Sequence, residues 1–68
     1  MLAHPRRKLR LHIISTKKVV LREDGAAWQR EFASMFQAVQ FAGALSDYGN
    51  CRLTIVDENG HEISETFV

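Results

Sequence analysis

The side chains able to do chemistry are few and scattered along the chain. His4, His12 and His61 never fall one helical turn apart, so no two-histidine metal site on a helix is spelled out. Cys51 is the only cysteine. Beside one of these histidines it would make a nucleophile and its base. Strand alternation places it on an apolar face, however, where a single cysteine packs as a small hydrophobe. Asp57, Glu58 and Glu62 crowd around Asn59-Gly60, which reads as a solvated turn rather than the shaped oxygen cage a divalent ion needs. The four glycines are isolated and form no phosphate-cradling loop. We therefore expect no catalytic residue, no metal and no cofactor.

Charge carries the stronger signal. The stretch "HPRRKLRLHII" spans residues 4–14 and opens a segment, residues 1–22, with seven of the nine Lys and Arg and no acid. The remaining residues hold two cations against all eight acids, so the two parts carry +7 and −6 and sum to +1. Such a split suits a patch for a polyanion, or two parts that neutralise each other within one fold. The first alternative makes Arg6, Arg7, Lys8, Arg10, Lys17 and Lys18 candidate contacts to nucleic acid, with residues 1–7 as a flexible basic arm. No aromatic residue is interleaved with these cations and no nucleic-acid-binding signature is present, so binding of that kind would be sequence-nonspecific. The second alternative, which we prefer, makes them a solvated strand face meeting Glu62 and Glu65 across a sheet.

A chain of 68 residues forms one domain and buries only about 60% of the surface its unfolded form exposes. No disulfide within the chain can help it, so a partner subunit is the simplest way to enlarge the core. The basic N-terminal residues lead into no apolar signal region, and the longest uncharged stretch, 32–46, is too short for a bilayer. We expect a soluble, cytoplasmic domain.

The elements that must position these side chains follow from periodicity. Leu9, Leu11 and Ile13 alternate with Lys8, Arg10 and His12, the period of a strand with one dry and one wet face. Val19 and Leu21 continue a second strand. Asp24-Gly25 then suits a two-residue hairpin turn, placing Leu21 opposite Trp28 in a third strand over residues 27–32. Ser34 opens a helix, with Gln37 placed for a capping box, and Gly49-Asn50 closes it. In the last hairpin, a three-residue loop at Glu58-Asn59-Gly60 pairs Ile55 with Ile63 and Cys51 with Phe67, gathering the apolar residues on one face. A two-residue turn would pair Arg52 with Phe67 and split that set, so we expect the three-residue loop.

The fold class is therefore α+β: a single helix packed on an antiparallel four- or five-stranded sheet, in the order β-β-β-α-β-β. The expected core is Leu9, Leu11, Ile13, Val19, Leu21, Trp28, Phe32, Met35, Ala38, Val39, Ala42, Leu45, Leu53, Ile55, Ile63 and Phe67. On the helix, Met35, Ala38, Val39, Ala42 and Leu45 form one stripe with Phe36 and Phe41 on its shoulders. That arc is wider than one sheet face needs. Phe36, Phe41 and the neighbouring Gln40 are accordingly the candidate interface for a second copy of the chain or another protein. From Trp28 onward the "FAS" before the helix, "AVQFAGAL" within it and the closing "LTIVDENG" resemble small uncharacterised bacterial domains. The resemblance implies a fold and no activity. The expected function is that of a non-catalytic binding module acting through self-association or a protein partner, with nonspecific nucleic-acid binding as the alternative.

Overall fold

A computed structural model describes residues 7–45 and 51–68. Five strands and one helix follow each other as β1 (Arg7–Ser15), β2 (Lys18–Glu23), β3 (Gln29–Phe32), α1 (Met35–Leu45), β4 (Cys51–Val56) and β5 (Glu62–Phe67). They build one sheet in the order β3-β2-β1-β4-β5 with the helix on one side. The wholly antiparallel sheet expected from the sequence is corrected at its centre: β4 runs parallel to β1, from Arg7↔Cys51 to His12↔Val56. The cause is geometric. Three antiparallel strands leave the chain at the end of the sheet where β1 also finishes, and α1 carries it back to the end where β1 began. Whatever strand follows must run with β1.

The dry face of that central pair makes the core. Leu9, Leu11, Val19, Leu21, Cys51, Leu53 and Ile55 are buried beneath Ala38 and Ala42, whose small side chains let the helix sit close. Gly43 is buried on the same helix. Ser34 caps it, accepting from Gln37 N–H at 3.2 Å, which is one half of the expected capping box. The helix end expected at Gly49-Asn50 lies outside the described residues.

Three expectations about register and burial change. The β2–β3 connection is longer than a two-residue turn. Gly25, at φ +82°, still makes the tight turn closed by Ala26 N–H to the Glu23 carbonyl (3.1 Å), but Leu21 then pairs with Arg30, not Trp28. The last hairpin does have the three-residue tip, with Gly60 at φ +86° and Asp57 N–H bonded to the His61 carbonyl at 2.8 Å. A bulge between the pairs Val56↔Glu62 and Ile55↔Ser64 then slips the rest of the ladder by one, so Arg52 faces Phe67. The slip turns Ile63 and Phe67 to the side away from the helix, where they are 57% and 53% exposed. Met35, at 38%, is exposed as well. Cys51 is buried in the core, as its place on the apolar face predicts, and Val68 packs against the core from β5's end.

Candidate functional site

Two assemblies of polar and aromatic side chains result, one on each side of the sheet. The first lies on the helix side at the β2–β3 rim. Glu23, a partly buried carboxylate at the end of β2, accepts from Arg7 Nε (2.9 Å), Arg7 Nη2 (2.8 Å) and Trp28 Nε1 (3.0 Å). Arg7 also donates through Nη1 to the Leu45 carbonyl at 3.0 Å, tying β1 to the last residue of the helix. The hydrogen bonds from Arg7 hold the Glu23 carboxyl below the usual carboxylate range, against a smaller opposing effect of desolvation, and the same pair raises Arg7. Phe41 lies edge-on to Trp28 (6.4 Å) and tilted against Phe32 (5.4 Å), with the Arg30 guanidinium 4.9 Å above its ring. This assembly is a structural clamp.

The second is the face of the sheet opposite the helix. Alternation along β1 puts Lys8, Arg10, His12 and Ile14 there, with Arg22 and Val20 from β2, and Arg52, Thr54 and Val56 from β4. Arg10 stands directly opposite Arg22, and Lys8 directly opposite Arg52. Acids partly answer these cations: Arg10 meets Asp24 at 3.3 Å and Glu62 at 3.2 Å, Arg52 meets Glu65 at 3.0 Å, and Lys18 meets Glu31 at 3.6 Å. Among the described residues Lys8, Lys17 and Arg22 have no carboxylate within ion-pair distance. Arg10, His12 and Arg22 line an open cleft of about 340 Å³.

The candidate nucleic-acid contacts are thus dispersed. Arg6 lies outside the described residues. Arg7 belongs to β1 and to the clamp, while Lys17 and Lys18 sit at the β1–β2 turn. Lys8 and Arg10 remain on the open face, joined by Arg22 and Arg52, which the sequence reading did not select. The signal for those two was their alternation with Leu21 and Leu53. Of the candidate interface, Phe36 is 69% exposed and Gln40 is exposed one turn along, whereas Phe41 is turned into the clamp.

Groups with nucleophilic or ligating chemistry are held apart. Cys51 is fully buried on the helix side, its thiol donating to the Arg52 carbonyl (3.7 Å), while His12 lies on the opposite face. His61 is at the exposed hairpin tip, where Asp57 Oδ1 accepts from the N–H groups of Asn59 and His61, both at 2.9 Å. These backbone bonds lower the Asp57 pKa and fix the loop. Among the described residues no three His, Cys, Asp or Glu side chains converge on a metal position, and no helix is long and apolar enough to cross a membrane. In comparisons with known proteins the chain matches no family model, no curated protein and no solved structure.

Proposed function

We propose that this domain is a non-catalytic binding module that works by association with a protein surface, in the simplest case a second copy of itself. The observation that carries the reading is Phe36. Its ring is 69% exposed in the first turn of a helix, next to half-exposed Met35 and in line with Gln40 at i+4. An exposed ring of this kind costs solubility and contributes nothing to the core of its own domain, but it serves as an anchor residue in an interface. Phe41, by contrast, is spent within the domain on Trp28 and Phe32.

Sedimentation equilibrium across a concentration series tests the reading. The wild type is expected to associate at high micromolar concentration, and Phe36→Lys to remain a monomer with an unchanged melting temperature, since the ring buries little within the domain. A wild type that stays strictly monomeric and captures no protein through Phe36 would end it.

A further inference from the structure

We infer that the open face of the sheet binds single-stranded nucleic acid along a diagonal of four cations, Arg22–Arg10–Lys8–Arg52. Three adjacent strands contribute to it: β2, β1 and β4. Like charges directly opposite each other destabilise a sheet. Here the sheet has two such placements side by side, Arg10↔Arg22 and Lys8↔Arg52. Among the described residues only Arg10 and Arg52 of the four are answered by a carboxylate, and those partners are themselves 48–59% exposed. Ion pairs that open to water are weak, so phosphates can exchange for Asp24, Glu62 and Glu65 at little cost. Lys8 and Arg22 need no exchange.

Dimensions and neighbours narrow the partner. Two strand spacings and one two-residue step separate Arg22 from Arg52, about 12 Å along the diagonal, enough for about three phosphates. The face presents the strands themselves and the open cleft lined by Arg10, His12 and Arg22. Among the described residues no helix or ribbon projects from it to enter the groove of a duplex. Two rings share the face: His12, one step along β1 from Arg10, and Phe67, opposite Arg52 and 53% exposed. Only unstacked bases can reach rings lying in a sheet. Nothing on the face forms a base-edge code, so the binding is sequence-blind. This surface lies opposite the helix and Phe36, and the inference stands independently of the association proposed above.

Fluorescence anisotropy with a short labelled oligothymidylate tests it on the full chain. The dissociation constant should rise about eighteenfold between about 50 and 200 mM salt, the slope expected for about three neutralised phosphates on a single strand. Arg22→Glu should weaken binding at least tenfold, whereas Lys17→Glu, the same change of charge at the β1–β2 turn, should weaken it less than twofold. Asp24→Asn, which removes one of the two carboxylates held against Arg10 and leaves Glu62, should tighten binding about threefold, a gain that misfolding cannot mimic. The inference is overturned by any of three results: no binding at the lower salt, equal losses for Arg22→Glu and Lys17→Glu in folded protein, or a duplex probe bound as tightly as the single strand. Self-association, measured on the same samples by sedimentation, is expected to be unaltered by Arg22→Glu.

Discussion

Replacing Glu23 by Gln should remove the main polar tie of the fold, and its cost should depend on pH. The carboxylate accepts three hydrogen bonds, two from Arg7 and one from the Trp28 indole, linking the start of β1, the end of β2 and the loop before β3. Hydrogen bonds to a charged group contribute about 1.5–3 kcal/mol when shielded. Glu23 is well covered, but the Arg7 side chain is 37% exposed, so solvent screening reduces its share. Gln keeps one carbonyl oxygen for one donor and loses the charge. We expect a loss of about 2 kcal/mol near neutral pH, a drop of about 10 °C in the midpoint of a domain this small. Glu23 has a lowered pKa in the folded state. Its contribution is therefore fully present above the unfolded value, near 4.5, and fades as pH falls through the lower folded value. Urea unfolding followed by Trp28 fluorescence should show wild type and Glu23→Gln converging as pH falls from the unfolded value near 4.5 through the lower folded one. Asp57 is also lowered, but it is common to both proteins and cancels in the difference. A gap of the same size at every pH, or one under about 0.5 kcal/mol at neutrality, would refute the reasoning.

Three further substitutions probe the packing and the turns. Phe41→Ala should cost about 2 kcal/mol, less than a fully buried ring because Phe41 is only partly covered, and should shift the Trp28 emission to the red as its edge-on neighbour disappears. Gly60→Ala should cost about 1–2 kcal/mol in thermal unfolding: φ is +86° while a Cβ there meets nothing within 4 Å, so the penalty is one of backbone conformation alone. Leu53→Ala, at a fully buried site in the central strand pair, should cost about 3–5 kcal/mol, and circular dichroism should show a largely unfolded chain at 37 °C.

The sequence made the elements legible because each is short, regular and punctuated: Leu9–Leu11–Ile13 for β1, Ser34 for the helix start, Asp57 and Gly60 for the last loop. Register was harder. Pairing Ile55 with Ile63 is favoured only if apolar residues of β5 gain burial on the helix side. Among the described residues, however, α1 contacts β1 to β4 and does not reach β5. Nothing there repays burying Ile63 or Phe67, and one bulge reconciles the preferred loop with a slipped ladder. The runs Val19-Val20-Leu21 and Ile55-Val56 held an unread clue, since consecutive apolar residues in a strand mean that both faces cover something. Val20 and Val56 are indeed buried on the open face, flanking His12. The parallel pair at the centre was legible in principle from β-α-β order alone, once β4 was placed beside β1. Arg22 and Arg52 were missed because cations were sought as a contiguous run, whereas a sheet gathers them from different strands.

One helix cannot cover five strands on both sides, and this mismatch explains where the domain has surface to spare. Its covered side is closed by small residues, Ala38 and Ala42, and the helix in turn exposes Phe36 outward. The uncovered side is stabilised by a small apolar row, Val20 and Val56 with Ile14 and Ile63 half exposed, and is otherwise given over to charge. Burying a cation such as Arg22 beneath a second helix would require a partner for it within the domain, which the described residues do not supply. Leaving that face open avoids the penalty and keeps the cations available. The proposed apolar contact through Phe36 and the proposed ionic contact through Arg22 thus fall on opposite sides of the same sheet, so that joining two copies through their helices would leave both basic faces outward and would make their binding to one long strand bivalent.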